Sequence, residues 1–319
     1  MTEADSRTAA ARRPLCWSPR ELADADLGAV VVVGSPPRAP RIAGSLRCPW
    51  VADLNQLPQD LDTLVVVGGG RRIDQAKWWR VQHRPGLRLV AIATIWGSGA
   101  ENSPIAVLDH DGVKEIHLGE QYLPDVRCTF PEFAQEIPLS LARSGCGDVW
   151  THALEGFLSP LADRPLREEL AALIGDLLGL PIGRDPRWFE YSALACAAQA
   201  RSSVGLVHGI AHQLEAPLRA NQADGNWGHA ALCSLFIYPV MCFNRQGSDR
   251  FATLAAAFGL DADGLLAHLS TLFDPVGYDR ALPELRRHWA ETLRDPSTRL
   301  NSVLVRPGAL DYFDRRVFA

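Results

Sequence analysis

The chain has 319 residues, of which 47% are hydrophobic and 22% are charged, a composition typical of a globular protein long enough for two domains. Its formal net charge of -5 provides no basic surface and argues against nucleic acid as a partner. No apolar run reaches the roughly 18–20 residues that cross a bilayer, and the seven cysteines include no CxxC pair. We therefore expect a cytoplasmic protein with no membrane partner and no disulfide framework.

The amino-terminal segment is rich in arginine but has no hydrophobic stretch of the kind that signal peptides contain, and we predict a disordered lead-in over residues 1–26. Strand patterns begin directly after it. Residues 27–34 form a continuous apolar and β-branched run, as expected for a parallel strand that is covered on both faces. Residues 64–68 and 87–93 predict two more strands of the same sheet.

Three consecutive glycines, at positions 68–70, separate the second of these strands from an amphipathic helix. Backbone N–H groups converge at a helix N-terminus, and glycine lets a phosphate approach them closely. A turn that merely requires glycine is the alternative interpretation of this stretch. A second glycine-containing segment, residues 94–101, follows the third strand and offers the hydroxyl groups of Thr94 and Ser98. The two segments together favour a site for a nucleotide phosphate.

After residue 101 the sequence predicts first a β-hairpin and then a series of helices. Residues 105–117 predict a β-hairpin whose turn is at residues 111–112. After residue 138, apolar residues recur at helical spacing, with glycine and proline between the segments. The predicted helices cover residues 148–158, 166–178, 190–203, 204–218, 251–258, 265–273, 278–293 and 309–317.

Two histidine-containing pairs stand at the spacing of one helical turn. Asp148 and His152 form one pair, His208 and His212 form the other, and His229 follows further along the chain. An aspartate and several histidines on separate helices are how a helical bundle builds an internal metal site. A single histidine on an apolar helix is more often a core residue. The combination with the glycine-rich segment indicates a metal-dependent enzyme.

The sequence of residues 68–77, GGGRRIDQAK, resembles the GGGSxxDxAK motif of the iron-containing alcohol dehydrogenases, in the dehydroquinate synthase-like superfamily. Residues 91–101, AIATIWGSGAE, resemble the next block of that family, usually IPTTAGTGSE. The resemblance implies an α/β Rossmann-like dinucleotide-binding domain, at residues 27–142. An all-helical metal-binding domain follows at residues 143–319, and the active site lies in the cleft between the two. We also expect a homodimer.

The resemblance implies roles for individual residues. The NAD or NADP cofactor is expected to contact Gly68, Gly69, Gly70, Arg71, Asp74, Lys77, Thr94 and Ser98. The expected ligands of the metal are Asp148, His152, His208 and His229, with Glu155 completing the family's metal segment. One carboxylate and three imidazoles suit Fe(II) or Zn(II) equally well. His212 is expected to carry a proton near the reacting oxygen; orienting the site by a hydrogen bond is the alternative role.

The chain departs from the family pattern at several positions. Arg71 and Ala100 each replace a serine, and Trp96 replaces a small residue, which predicts a reshaped cleft wall. No acidic residue follows the first predicted strand, where a carboxylate would bind the ribose 2′-hydroxyl of NAD. NADP is therefore as credible as NAD, with Arg38 or Arg41 as partners of its extra phosphate. A loop at residues 215–227 is expected to line the cleft mouth.

The expected activity is that of a metal-dependent, NAD(P)-linked alcohol dehydrogenase acting on an alcohol or carbonyl compound of secondary metabolism. One alternative is the oxidative decarboxylation of a C-terminal threonine of a ribosomal, daptide-type peptide by the same hydride chemistry, so the partner is a small-molecule alcohol or a peptide. A second alternative is a dehydroquinate synthase-like lyase, against which the Asp148 and His152 pair argues. A non-catalytic relative that only binds a partner is the third.

Overall fold

The computed structural model describes residues 13–110, 113–221 and 225–318. Among these residues, six strands form one sheet in which every neighbouring pair is parallel, in the order β3-β2-β4-β5-β8-β1. The strands of this sheet are β1 (Leu15–Trp17), β2 (Val30–Gly34), β3 (Trp50–Val51), β4 (Thr63–Gly68), β5 (Arg88–Ala93) and β8 (Val126–Cys128). An α/β half followed by a helical half was predicted, and this fold class is confirmed.

The central strands are apolar along their whole length because both faces of the sheet are covered. Residues 64–67 of β4 and 89–92 of β5 are all buried, as the continuous apolar runs predict. The helices between the strands are α1 (Pro19–Asp24), α2 (Arg38–Leu46) and α3 (Gly70–His83). The bounds of β2, β4 and β5 agree with those of the three predicted strands to within a few residues.

The prediction of a disordered lead-in over residues 1–26 is wrong for residues 13–26. Strand β1 pairs in parallel with β8, and α1 begins with a capping box in which Ser18 and Glu21 satisfy each other's backbone N–H groups. A three-residue strand is too short for a periodic pattern to reveal. Residues 1–12 lie outside the described part of the chain.

The chain reverses its direction across the sheet between β2 and β4. From β2 it continues to β3 on one side, whereas β4 is followed by β5 on the other side. The loops after β2 and β4 therefore leave the sheet in opposite directions, and a crevice opens between the carboxyl ends of these two strands. The glycines at positions 68–70 lie at this crevice.

The predicted hairpin is present as an antiparallel pair, β6 (Ile105–His110) and β7 (Val113–Leu118). Its predicted turn, residues 111–112, lies outside the described residues. The helical half contains α4 (Phe133–Glu136), α5 (Leu139–Leu158), α6 (Arg164–Leu178), α7 (Arg187–Gln199), α8 (Leu206–Asn221), α9 (His229–Gly247), α10 (Arg250–Ala257), α11 (Ala262–Ser270), α12 (Pro275–Arg287), α13 (Trp289–Arg294), α14 (Pro296–Arg299) and α15 (Leu310–Asp314). The domain boundary after residue 142 stays a prediction, and that residue lies in the first turn of α5. No described helix has the combined length and apolarity needed to cross a bilayer.

Helix α5 forms the centre of the helical half and is buried on all sides from residue 145 to residue 158. It packs against α6, α7 and α9. Gly147 brings α5 and α9 close together, because a Cβ atom at this position would lie 2.5 Å from the Cα of Ser234. This contact sets the distance between side chains that both helices direct into the bundle.

Replacing Gly147 with alanine is expected to lower the free energy of unfolding by about 1–3 kcal/mol, because the added methyl group overpacks the α5–α9 contact. Gly175 on α6 is a matched control, since a Cβ atom there would meet nothing within 4 Å. Gly175→Ala is expected to raise the free energy of unfolding by about 0.5–1 kcal/mol. Denaturant titration followed by circular dichroism measures both values. Equal effects of the two substitutions would contradict the close contact.

Candidate functional site

Three helices of the helical half each direct two side chains toward a common point. On every helix the two residues are four positions apart, which places them on one face, one turn from each other. The six side chains form what we call the ligand cluster: Asp148 and His152 on α5, His208 and His212 on α8, and His229 and Cys233 on α9.

The donor atoms of this cluster have the spacing of ligands that share one ion. Among the described residues, one donor atom each from Asp148, His208, His229 and Cys233 all lie within 4.8 Å of one another. The Nε2 atom of His152 lies 3.2 Å from the Nε2 atom of His208. Two imidazole nitrogens that bind one metal at about 2.0–2.1 Å in tetrahedral geometry are separated by roughly 3.3 Å. The ligand cluster can therefore hold a divalent cation.

Glu155 fixes the orientation of His208. Its carboxylate accepts a hydrogen bond from His208 Nδ1 at 2.8 Å, which leaves the Nε2 lone pair directed into the cluster. The same carboxylate accepts N–H bonds from Gly205 at 2.8 Å and from Val207 at 2.6 Å, at the start of α8. Burial raises the pKa of Glu155 to about 7, and these backbone donors oppose the rise.

The protonation states of His208 and His229 favour metal binding. Burial, reinforced by the neighbouring imidazoles, lowers the pKa of His208 and of His229 well below the usual range, so both rings are neutral and keep a lone pair. Burial raises the pKa of Asp148, and nearby His152 opposes that rise. Asp148 Oδ1 is buried without a hydrogen-bond partner among the described residues. An unpaired buried carboxylate is costly, and a bound cation removes that cost.

Cys233 completes the cluster and was not predicted from the sequence. Burial raises the pKa of its thiol well above the usual range, and the nearby Asp148 carboxylate adds to the rise through charge and a hydrogen bond. Without a cation the thiol is therefore protonated. Its spacing of four residues from His229 is the same one-turn spacing as in the two predicted pairs, and this signal was present in the sequence.

His212, the second cluster member on α8, has a side chain that is 14% exposed. Its ring stacks on that of His229, with centroids 5.5 Å apart, and its Nδ1 lies 3.2 Å from Asp295 Oδ2. Asp295 also accepts hydrogen bonds from Gln213 Nε2 and from the backbone of Ser297 at the start of α14. Asp295 was not predicted, because it stands 83 residues from His212 in a helix-capping context of its own.

The loop after β5 connects the glycine-lined crevice with the ligand cluster. The backbone N–H of Thr94 donates to the carbonyl oxygen of Gly68 at 3.0 Å. A Cβ atom on Gly70 would lie 2.7 Å from the Cβ of Ser98, so the two loops are in close contact. Gly97, with a φ of +127°, leaves space beside Asp148, since a Cβ there would lie 3.0 Å from Asp148 Oδ2.

The predicted cofactor contacts fall into two groups. The three glycines, Thr94 and Ser98 lie at the two loops, and Arg71 is exposed in the first turn of α3. Asp74 and Lys77 are buried and bind each other, with Lys77 Nζ 3.0 Å from Asp74 Oδ1. Lys77 also donates to the carbonyl oxygen of Ile105 at 2.7 Å, and these two side chains therefore connect α3 with β6.

Three expectations about the cleft surface need correction. Trp96 is not part of an open cleft wall: it is 2% exposed, and its indole N–H donates to the carbonyl oxygen of Ala142 on α5. The proposed phosphate partners Arg38 and Arg41 both bind Glu136. The segment 215–227 is not one long loop, because α8 continues to residue 221; residues 222–224 lie outside the described chain.

Ion pairs connect the β6–β7 hairpin with α8. Lys114 of β7 lies 2.9 Å from a carboxylate oxygen of Glu215 on α8 and 3.0 Å from Asp109 on β6. Glu215 also pairs with Arg219 one turn further along α8, at 2.9 Å. The hairpin, which lies between β5 and β8 in the chain, is thereby tied to the helix that carries His208.

Known proteins with similar sequence or structure include several dehydrogenases. No protein-family model matches the sequence. The chain is 30% identical over 221 residues to the 1-propanol dehydrogenase of Salmonella typhimurium, covering 63% of this chain and 58% of that protein. It is 27% identical over 237 residues to the NAD-dependent methanol dehydrogenase of Bacillus methanolicus, covering 65% of this chain and 60% of that protein. The iron-containing alcohol dehydrogenase of Thermococcus thioreducens has the same fold, with a TM-score of 0.69 at 20% identity over 96% of this chain and 98% of that one.

The chain has the fold of the iron-containing alcohol dehydrogenases and is similar in sequence to several dehydrogenases over part of their length. It spans less than two thirds of the length of the two sequence relatives named above. The blocks that resemble the motifs of this family, residues 68–77 and 91–101, contain the two loops that meet at the crevice. The family's metal positions, as matched in the sequence, all lie in the ligand cluster.

Glu155→Gln is expected to lower the affinity for a divalent cation about 10–100-fold, because the amide cannot accept all three N–H bonds and no longer orients His208. Competition with a chromogenic chelator measures the affinity. Glu136→Gln, on α4, is the matched control and should leave it unchanged. An unaltered affinity in Glu155→Gln would show that His208 does not depend on this carboxylate.

Proposed function

We propose that this protein is a metal-dependent oxidoreductase that transfers a hydride between an alcohol, or its carbonyl counterpart, and NAD(P). The observation that carries the proposal is the loop after β5, which contacts the glycines of the crevice and also Asp148. A phosphate site and a metal site at one loop suit hydride transfer, because cofactor and substrate must be held close together. The names of the two dehydrogenase relatives support an alcohol as the substrate.

The proposal divides the chemistry between bound groups and the chain. A divalent cation in the ligand cluster supplies Lewis-acid polarisation of the substrate oxygen, and the nicotinamide accepts or supplies the hydride. Asp148 contributes the negative charge that balances the cation, and the neutral rings of His208 and His229 contribute lone pairs. His152, 3.2 Å from His208, is the fourth proposed ligand, and the set suits Fe(II) or Zn(II).

His212 is the proposed proton carrier. Asp295 engages its Nδ1, so Nε2 is the atom that exchanges a proton with the substrate hydroxyl. The partial exposure of the ring allows the proton to pass on to solvent. In the alternative role, His212 orients the site by a hydrogen bond, and the variants described below distinguish the two roles.

We propose that the crevice binds NADP in preference to NAD. Arg72, in the first turn of α3, donates to the carbonyl oxygen of Ala52 at 3.1 Å and lies 3.4 Å from the hydroxyl of Ser35, which follows β2. An arginine and a hydroxyl at this strand end suit a ribose 2′-phosphate. The carboxylate of Asp53, beyond β3, instead caps the turn that follows by accepting from the N–H of Asn55.

The substrate class that we propose is an alcohol of secondary metabolism. Oxidation of a ribosomal peptide and the lyase reaction stay sequence-based hypotheses, as do the homodimer and the cytoplasmic location. The lyase reaction involves no net oxidation. Accumulation of reduced nicotinamide with an alcohol substrate therefore distinguishes the dehydrogenase from the lyase.

Two variants separate the metal ligand from the proton carrier. His208→Ala is expected to lose both the metal and turnover, because it removes a donor at the centre of the cluster. His212→Ala is expected to keep the metal and to lower kcat by about 10²–10⁴-fold, the usual contribution of a general acid or base. Elemental analysis and steady-state kinetics provide the two readouts. Loss of metal from His212→Ala would show that His212 maintains the metal site and would contradict its role as a proton carrier.

Arg72→Ala is expected to raise the KM for NADP about tenfold or more while changing the KM for NAD little, because a charge-assisted bond to the 2′-phosphate contributes about 1.5–3 kcal/mol. Arg41→Ala is the control, since Arg41 is held by Glu136 and should not affect either KM. Equal changes for the two cofactors in Arg72→Ala would remove its role in the choice between them.

A further inference from the structure

Cys233 occupies a ligand position in the cluster. It lies on α9 one turn beyond His229, and its side chain is fully buried. Its Sγ atom lies 3.6 Å from His229 Nε2. It also lies within 4.8 Å of donor atoms of Asp148 and His208. These are distances at which four side chains can share one ion.

The carboxylate beside Cys233 has an oxygen that a cation would satisfy. Asp148 is 1% exposed, and its Oδ1 atom has no hydrogen-bond partner among the described residues. The Cys233 thiol donates a hydrogen bond to this carboxylate group but leaves that oxygen unsatisfied. A divalent ion between the carboxylate and the sulfur satisfies both groups.

Other buried cysteines have different surroundings. The thiol of Cys146 faces the carbonyl oxygen of Gly183 at 3.8 Å, and Cys242 contacts the phenol of Tyr238. Within the part of the chain that the structure describes, neither belongs to the group of converging metal donors. A buried cysteine usually acts as a small apolar residue. The carboxylate and imidazole neighbours of Cys233 distinguish it from that ordinary case.

We propose that the thiolate of Cys233 is a ligand of the metal ion, together with Asp148, His208 and His229, and that it makes the site select zinc over iron. The proposal rests on the proposed metal centre and adds a sulfur donor to it. Metal binding breaks the S–H bond and forms a sulfur–metal bond, the proton leaves to solvent, and no electron is transferred. Thiolate is a soft ligand that Zn²⁺ accepts alongside imidazole and carboxylate. His152, already proposed as a ligand, gives the site a fifth donor.

Cobalt(II) is the probe that tests the proposal. Its visible absorption reports that the site is loaded, and a sulfur-to-cobalt charge-transfer band in the near ultraviolet reports a thiolate ligand. The metal-depleted full chain, titrated with cobalt, is expected to show both signals. Cys233→Ser should lose the near-ultraviolet band and keep the visible absorption. Cys242→Ser, on the same helix, is the matched control and should keep both.

The outcomes separate the metal centre from the sulfur ligand. No visible absorption in the wild-type protein would overturn the metal centre itself. Visible absorption without the near-ultraviolet band would overturn ligation by Cys233 and leave the centre in place. A near-ultraviolet band that persists in Cys233→Ser would also overturn it, since another thiol would then be the source.

A second measurement needs no variant and so does not depend on the folding of Cys233→Ser. X-ray absorption of the zinc-loaded wild-type protein is expected to show a sulfur neighbour at about 2.3 Å. A shell of nitrogen and oxygen alone contradicts the proposal. Competition between zinc and ferrous ions should favour zinc in the wild type. Cys233→Ser should reduce zinc affinity by more than the roughly 10–100-fold lost when an outer hydrogen-bond partner is removed. An unchanged preference would oppose a role for sulfur in metal selection.

Discussion

A buried carboxylate joins the two helices that supply most of the ligand cluster. Glu155 extends from α5, and it accepts two backbone N–H bonds at the start of α8 and one from the ring of His208. Burying such a group is favourable only when its acceptor capacity is used, and here three donors use it. The carboxylate thus sets where α8 begins and how His208 is rotated.

The proposed hydride transfer also requires that the sheet and the helical bundle meet at a shared loop. The α/β half can hold a phosphate at the crevice, and the helical half can hold a cation, but neither alone brings the two ligands within reach of one another. The turn at Gly97, which adopts a positive φ beside Asp148, allows the backbone after β5 to reach α5. Trp96 stabilises this contact, because its buried indole N–H donates a hydrogen bond to the carbonyl oxygen of Ala142 on α5.

The parts of the fold that were predicted from the sequence are those with a repeating pattern. The long apolar strands and most of the helices have enough residues to reveal a period of 2.0 or 3.6, and the one-turn pairs on α5 and α8 reveal a shared face. Strands β1 and β3 have three and two residues, too few to show any period. Cys233 was not predicted because a cysteine on an apolar helix is usually an ordinary core residue, and its one-turn spacing from His229 alone does not distinguish it. Asp295 and Arg72 act through contacts between distant segments, which no local pattern encodes.

The ion pairs between the hairpin and α8 limit how far the hairpin can move. Lys114 is shared by Asp109 of its own hairpin and Glu215 of α8, and Glu215 is almost fully buried. Moving the hairpin away from α8 separates the ammonium group from a carboxylate that water reaches poorly, so the displacement carries an electrostatic cost. Charge therefore holds the hairpin against the helix that carries His208.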